Sequence, residues 1–156
     1  METRGKAEQQ ALLAAREYGI GTILFRNALA KRAGLSLTES LSLTVLGIRG
    51  ASTPGELARF TGLTSGATTS MIDRLERRQF VRRRPNPDDR RGVIVEIDES
   101  SSSDARSLVS GIRRANQEVV AAYTERELLI IAEFLTKMTA GLTEESRKLD
   151  AGSQPF

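Results

Sequence analysis

The residues of this chain best suited to bind another molecule are arginines that lie close together in one stretch. Residues 73–91 contain eight arginines and four acidic residues, a local net charge of +4, whereas the whole chain of 156 residues carries +3. The remainder is therefore close to neutral. Guanidinium groups bind phosphate and carboxylate through paired hydrogen bonds. The stretch indicates a polyanionic partner, with an ordinary solvated face as the alternative.

The composition also excludes several chemistries. The chain has no cysteine and no histidine. It therefore lacks a thiol nucleophile, a disulfide, the usual catalytic base and the commonest zinc ligand. No grouping of residues favours a carboxylate pair, a lysine Schiff base or a magnesium site. We expect a chain that is not an enzyme and that uses no cofactor and no metal.

Upstream of the arginines, residues 53–75 have the pattern of helix, turn and helix. Thr53 is an expected N-cap, Pro54 suits the first helical turn, and Glu56 completes a capping box. Gly62 supplies the left-handed conformation that a tight turn between helices needs. Thr64 or Ser65 then caps the second helix.

The second of these helices is predicted to have two unlike faces. Apolar side chains spaced by four residues predict its buried face: Ala67, Met71 and Leu75. Residues expected to face another way are Ser65, Thr68, Thr69 and Ile72. Small hydroxyl side chains at the leading end of a helix suit entry into the major groove of DNA, where the helix amides approach phosphate.

A β-ribbon is predicted after these helices. Residues 80–84 read as a short strand, 85–92 as a turn-rich loop and 93–97 as a returning strand. The loop presents Arg90 and Arg91, and three arginines lie on the first strand. Arginine at the tip of a ribbon can enter a minor groove, where the negative potential is focused.

Helices are predicted on both sides of this segment. Residues 7–32 form one, and a shorter helix follows with Thr38 as N-cap, Leu41, Val45 and Ile48 on one face, and Gly50 at its end. Near the C-terminus, residues 104–122 form another. The serine run at 100–103 is either a linker or the cap of that helix.

The last predicted helix begins with a capping box of Thr124 and Glu127. Its apolar positions are separated by three and four residues: Leu128, Ile131, Leu135, Met138 and Leu142. Such spacing is typical of a helix that packs along another helix. The stripe is either the core of an intramolecular hairpin or part of a dimer interface.

This order of elements resembles the MarR family of bacterial winged-helix transcriptional regulators. The residues that carry the resemblance are the helix-turn-helix, Asp73-Arg74-Leu75, Phe80-Val81 and the wing at 86–93 with Asp89 and Arg91. The resemblance implies a mainly α fold with a small β wing. It also implies a homodimer built from helices at 1–36 and 100–150, a winged helix-turn-helix domain at 37–99, and a flexible tail at 151–156.

The resemblance further implies which residues bind double-stranded DNA. Residues 65–74 would form the recognition helix, with the candidate contacts Ser65, Thr68, Thr69, Ser70 and Arg74. Candidate phosphate contacts are Arg82, Arg83, Arg84 and Arg90. Arg91 would reach the minor groove, and Asp89 would orient it without touching DNA. The chain departs from the family at Gln79, where glycine is common, so a left-handed Gln79 or an altered turn is expected.

No window of the sequence reaches the roughly 18 apolar residues of a membrane span, and residues 1–10 lack the apolar core of a secretory signal, so we expect a cytoplasmic protein without a membrane span. From the resemblance we expect a sequence-specific regulator. It would repress transcription from an inverted-repeat operator as a homodimer. A small aromatic or anionic ligand would release it. The residues of a ligand pocket cannot be deduced; Leu24, Leu43 and Leu46 are guesses that fit the core better. The alternatives are a nonspecific architectural DNA-binding protein and a winged-helix module that docks another protein.

Overall fold

The structure, a computed structural model, is mainly helical with one small antiparallel sheet. It describes residues 2–89, 92–98, 100 and 103–152. The chain divides into two compact units, Met1–Leu108 and Val109–Phe156. In chain order the elements are α1 (Glu2–Ala33), α2 (Leu37–Arg49), α3 (Pro54–Thr61), α4 (Ser65–Arg77), β1 (Val81–Pro85), β2 (Val93–Ile97), α5 (Ser103–Val120) and α6 (Glu125–Gly152).

The start of α2 differs from the prediction. Its N-cap is Ser36, not Thr38. The Ser36 Oγ accepts a hydrogen bond of 3.2 Å from the Glu39 N–H, and the Glu39 carboxylate accepts one of 2.8 Å from the Ser36 N–H. This reciprocal pair needs an acidic or amide side chain three residues after the cap. Ser36 has Glu39 at that position, whereas Thr38 would have the apolar Leu41.

The helix-turn-helix is confirmed at its predicted caps. Thr53 and Glu56 form the capping box of α3, with the Thr53 N–H donating to the Glu56 carboxylate at 2.7 Å. Gly62 has a φ of 68° and closes α3 in the left-handed conformation. Of the two predicted caps for α4, the structure has Thr64. These local signals set the angle at which α4 leaves the turn.

The core of the first unit lies between α2, α3, α4 and the sheet. Six apolar side chains are at most 1% exposed: Leu57, Met71, Ile72, Leu75, Val81 and Val95. The predicted inner face of α4 is partly wrong, because Thr68 and Ile72 are buried and Ala67 is exposed. A helix packed against both α3 and the sheet buries positions three and four residues apart, not only those four apart.

In α2 the predicted buried face is also partly wrong. Val45 is buried, but Ile48 is 79% exposed, and Leu46 is 3% exposed instead. Leu43 packs against the same core. Leu46 and Leu43 are therefore core residues, whereas Leu24 on α1 is 64% exposed. The positions of Leu24, Leu43 and Leu46 therefore do not define a ligand pocket.

The wing consists of β1 and β2 paired antiparallel, with Arg82 opposite Glu96 and Arg83 opposite Val95. Successive side chains of a strand point to opposite faces. Val95 is fully buried, so Arg83 faces the body of the unit while Arg82 faces outward. Ser52 makes two backbone hydrogen bonds with Val95, of 2.8 and 2.9 Å, which join the segment before α3 to β2.

The turn between α4 and β1 contains Gln79, at the position where glycine is common in the family. Gln79 has a φ of 58°, the left-handed conformation that glycine adopts at lower cost. Its N–H donates to the carbonyl oxygen of Glu76 at 2.9 Å, and the Phe80 N–H donates to that of Leu75, also at 2.9 Å. The turn is therefore kept, and Gln79 carries the backbone strain.

The second unit contains most of α5 and all of α6. The predicted capping box of α6 is confirmed, because the Thr124 N–H donates to the Glu127 carboxylate at 2.8 Å. α6 extends to Gly152, two residues into the expected tail, and 153–156 lie outside the described residues, as do Ser101 and Ser102. In the described part of the chain, no helix is long and apolar enough to cross a membrane.

Candidate nucleic-acid interface

The leading end of α4 is an exposed surface of small side chains. Ser65, Thr69 and Ser70 are all exposed, and so are Gly66 and Ala67 between them. The Thr69 hydroxyl donates to the carbonyl oxygen of Ser65 at 3.0 Å, which fixes its direction. A helix end without bulky side chains can approach the floor of a major groove closely. Three of the predicted contact residues are therefore brought together on one accessible face.

Thr68 does not belong to that face, although the sequence analysis included it. The residue is 1% exposed, and its hydroxyl donates to the carbonyl oxygen of Thr64 at 2.9 Å. A side chain packed on the core side of α4 cannot reach a base edge. We therefore correct the prediction for Thr68 and assign it to the core.

Arg74, near the end of α4, is held by an acidic residue of α2. Its Nε donates to the Glu39 Oε1 at 2.9 Å. The Glu39 side chain is only 8% exposed, whereas that of Arg74 is 48% exposed. Burial opposes ionisation of Glu39, but hydrogen bonds from the Ser36 backbone and from Arg74 lower its pKa below the ordinary value. Arg74 thus anchors α4 while part of its guanidinium stays accessible.

A basic groove of about 380 Å³ lies beside this ion pair, lined by Gly34, Ser36, Glu39, Arg74, Arg77 and Arg78. The Arg78 guanidinium donates to the carbonyl oxygens of Gly34 at 2.7 Å and Ala33 at 2.5 Å. Positive charge at the carbonyl end of a helix is favourable, so Arg78 stabilises the end of α1. The side chain of Arg77 is exposed and makes no hydrogen bond or ion pair with the described residues.

The outer face of the wing holds two arginines around one carboxylate. Glu96 accepts hydrogen bonds from the Nε of Arg82 at 2.8 Å and from the Nε of Arg84 at 2.6 Å. Hydrogen bonds from Arg84 and then Arg82 lower the pKa of Glu96. The group keeps a net charge of +1 and half-exposed guanidinium groups. These two predicted phosphate contacts therefore lie together on an accessible surface, with Glu96 as a competitor.

Arg83 is placed differently from its neighbours. Its guanidinium donates to Asp73 Oδ1 at 2.6 Å and to Glu76 Oε2, both on α4. Its side chain is 28% exposed, against 59% for Arg82. Burial opposes its charge, but the hydrogen bonds to Asp73 and Glu76 raise the pKa of Arg83. This placement disagrees with the prediction of Arg83 as a phosphate contact, since both of its terminal nitrogens already donate to carboxylates of α4.

The loop of the wing is described on both sides of its tip. The Asn86 N–H donates to the Gly92 carbonyl oxygen at 3.0 Å, and the Gly92 N–H donates to that of Asp89 at 2.8 Å. A Cβ at Gly92 would lie 3.2 Å from Asp89 Oδ2, so the loop closes tightly at this glycine. Arg90 and Arg91 lie outside the described residues, and the orienting role of Asp89 stays a prediction.

Sequence reasoning missed the acidic partners of the arginines. Glu39, Asp73, Glu76 and Glu96 come from three different elements and meet their arginines only after the chain folds. The spacing of Ser36 and Glu39 could have revealed the true cap of α2, but not the contact with Arg74. Among the described residues, no group of acidic side chains has the arrangement of a metal site.

The sequence is similar to those of known transcriptional regulators. The sequence model of the MarR family matches residues 35–93. The HTH-type transcriptional regulator YcgE of Bacillus subtilis is 33% identical over 147 residues, which are 94% of this chain and 96% of that protein. The HTH-type transcriptional repressor NicR of Pseudomonas putida is 28% identical over 131 residues, 84% of this chain and 82% of that protein.

A solved structure shows the same fold. The MarR family protein of Bacillus stearothermophilus superposes with a TM-score of 0.58 at 22% identity, covering 92% of this chain and 99% of that one. Among the described residues of the first unit, α2, α3, α4 and the two-stranded sheet thus form a winged-helix arrangement. With the near full-length similarity to YcgE, the chain belongs to the MarR family, whose members are DNA-binding transcriptional regulators and not enzymes.

Proposed function

We propose that this regulator is a repressor that binds an inverted-repeat operator as a homodimer and leaves it when a small aromatic or anionic ligand binds. The observation that carries the proposal is the pairing, within one unit, of an exposed hydroxyl-rich end of α4 with an arginine-bearing wing. Bound protein would exclude polymerase from the promoter. The name of the relative NicR, a repressor, agrees with this direction of control.

Each lobe would read one half of the operator. Ser65, Thr69 and Ser70 would approach base edges in the major groove, because side chains and amides at the start of a recognition helix are aimed there. Arg82 and Arg84 would contact phosphates, which add affinity but little sequence information. From the sequence, Arg90 would join them and Arg91 would enter the minor groove.

Exposed apolar faces support the homodimer. On α1, Leu13, Tyr18, Ile20, Ile23 and Leu24 are each more than half exposed. On α6, Leu129, Ile130 and Leu142 are also more than half exposed, and Ile131 and Leu135 are 37% and 42% exposed. Large apolar side chains left exposed in such number mark a protein interface. A two-fold dimer would place two lobes on successive half-sites about one helical turn apart, roughly 34–36 Å.

Two features support release by a noncovalent ligand: the absence of cysteine and histidine, and an accessible arginine in the basic groove. Without cysteine or histidine it has no thiol or imidazole with which to sense oxidants or zinc. The basic groove beside Glu39 offers an anion an accessible arginine, Arg77. A ligand would act by favouring one spacing of the two lobes over another. Titration of benzoate and of inorganic phosphate against the operator complex tests this, and operator affinity that neither anion changes would count against an anionic effector.

The experiment that tests the main proposal is competition between labelled upstream DNA and random duplex of equal length, measured across salt. We expect a strong preference for the upstream sequence, over a background of nonspecific binding that weakens as salt rises. Equal affinity for both duplexes would favour an architectural DNA-binding protein. Absence of binding even at low salt would favour a module that docks another protein.

The dimer is tested separately by sedimentation equilibrium. We expect the wild type to sediment as a dimer, and Leu135→Glu to shift it toward monomer because a charge would be buried at the interface. Glu145→Gln, on the same helix at an exposed polar position, is the matched control. A monomeric wild type would contradict the homodimer.

A further inference from the structure

Arg83 has a role that the sequence pattern does not assign. We propose that Arg83, Asp73 and Glu76 form a brace that fixes the wing against the recognition helix α4. Arg83 would then strengthen operator binding by positioning the wing, not by contacting phosphate. This inference rests on the proposed reading of DNA by α4 and the wing.

The geometry of the brace involves both the backbone and the side chain of Arg83. Glu76 Oε1 accepts a hydrogen bond of 3.1 Å from the Arg83 N–H, and Glu76 Oε2 accepts one from the Arg83 guanidinium. Asp73 Oδ1 accepts another, of 2.6 Å, from the second terminal nitrogen of the same guanidinium. Three hydrogen bonds thus join one residue of β1 to two residues of α4.

The positions of these residues explain why they meet. Asp73 and Glu76 are three residues apart and therefore lie on one face of α4. Val81 and Val95 are buried in the core, so the inner face of the sheet, which includes Arg83, is turned toward the body of the unit. Ile72 and Leu75, each at most 1% exposed, fix the rotation of α4. The core thus orients both ends of the brace.

The local charge argues against a phosphate contact at this point. Arg83 is surrounded by two carboxylates, a group with a net charge of −1. On the outer face, Arg82 and Arg84 share one carboxylate, and that group has a net charge of +1. A phosphate would be repelled from the first group and attracted to the second. The outer face of β1 is therefore suited to bind phosphate, whereas the inner face is suited to hold the wing against α4.

Two sets of substitutions are needed, because only the second gives opposite results under the two roles. Arg83→Gln removes the cation, and the double variant Asp73→Asn with Glu76→Gln removes the anions. If Arg83 positions the wing, both should weaken operator binding, by about tenfold, since breaking a partly buried charged hydrogen-bond group costs roughly that much. If Arg83 contacts phosphate, the double variant should bind more tightly, because it frees the cation and removes two repelling charges.

The dependence on salt separates the roles further. The logarithm of the binding constant falls with the logarithm of salt concentration in proportion to the number of phosphates contacted. We expect Arg83→Gln to leave this slope unchanged, whereas the matched control Arg82→Gln, on the outer face, should reduce it by about 1. A slope reduced by Arg83→Gln, together with tighter binding by the double variant, would overturn the brace.

A measurement without DNA keeps the test independent of the proposed function. Amide hydrogen exchange of the wild type and the variants reports local opening of the wing. We expect faster exchange in β1 and β2 for Arg83→Gln and for the double variant, with α1 and α3 unchanged. Unchanged exchange in the wing would refute the brace even if operator binding fell. A wild type without operator preference would refute the proposed function alone.

Discussion

The carboxylate of Glu39, at the start of α2, accepts a 2.9 Å hydrogen bond from Arg74, near the end of α4, across 35 residues of sequence. Glu39 is also half of the capping box of α2, so one side chain both caps α2 and holds α4. The carboxylate is almost fully buried, while the arginine reaches the surface. Helix capping and the placement of the candidate DNA-binding element are therefore coupled.

Stability should depend on pH through Glu39. Its pKa in the folded chain is below the ordinary value of 4.5, so its stabilising effect is complete above that pH and is lost as pH falls through the folded pKa. We expect Glu39→Gln to lower the free energy of unfolding by about 1 kcal/mol at pH 7, the size of a lost capping hydrogen bond. Below pH 4.5 the difference from wild type should shrink.

Urea unfolding at a series of pH values checks this prediction. The matched control is Glu17→Gln, since Glu17 is exposed on α1. A Glu39→Gln protein as stable as wild type at pH 7 would contradict the coupling.

The turn before the wing should be improved by glycine. Gln79 is exposed and has a φ of 58°, which costs a side-chain-bearing residue about 1 kcal/mol relative to glycine. We expect Gln79→Gly to raise the urea midpoint. Gly62→Ala should lower it by a similar energy, because Gly62 has a φ of 68°. Changes of the same sign in the two variants would contradict the strain argument.

Glu96 should restrain the affinity of the wing for DNA. It binds both Arg82 and Arg84, which otherwise face outward. We expect Glu96→Gln to tighten binding to random duplex about twofold to fivefold at low salt, the size expected when an exposed ion pair stops competing. Fluorescence anisotropy measures this effect, with Glu118→Gln on α5 as the control. Weaker binding by Glu96→Gln would mean that the ion pairs hold the arginines in the orientation that binds DNA.

The exposed and buried hydroxyls of α4 should differ in their effect on specificity. We expect Thr69→Ala and Ser70→Ala to change the preference among operator variants, since both side chains are exposed. Thr68→Val should leave that preference unchanged and lower stability by about 1 kcal/mol, because its buried hydroxyl loses the bond to the Thr64 carbonyl. Binding to a panel of single-base operator variants checks this. A uniform loss across the panel would mark Thr69 and Ser70 as phosphate contacts.

Arg91 is predicted from the sequence to enter the minor groove. We expect Arg91→Ala to weaken operator binding by about 1–3 kcal/mol, the size of one lost groove contact, and to leave the dimer intact. Titration of operator DNA and sedimentation of the same variant check both parts. Unchanged affinity would refute the role of Arg91.

The sequence by itself determined the features that depend on neighbouring residues. Among the described residues three capping boxes each form within four residues, and two of them, Thr53 with Glu56 and Thr124 with Glu127, are at the predicted places. The turn at Gly62 and the two strands of the wing follow equally local rules, because backbone conformation limits which residues fit them. The cluster of arginines at 73–91 could also be predicted, because its members are close together in the sequence.

Only the tertiary structure decided which side chains remain available to DNA. Thr68 and Thr69 are adjacent and nearly alike in chemistry, yet packing against α3 and the sheet buries the first and leaves the second exposed. Arg82 and Arg83 are also adjacent, yet Arg82 meets one carboxylate on the outer side of the wing, whereas Arg83 meets two on the inner side. Burial and ion pairing depend on residues far apart in sequence, and their positions are set only when the core assembles.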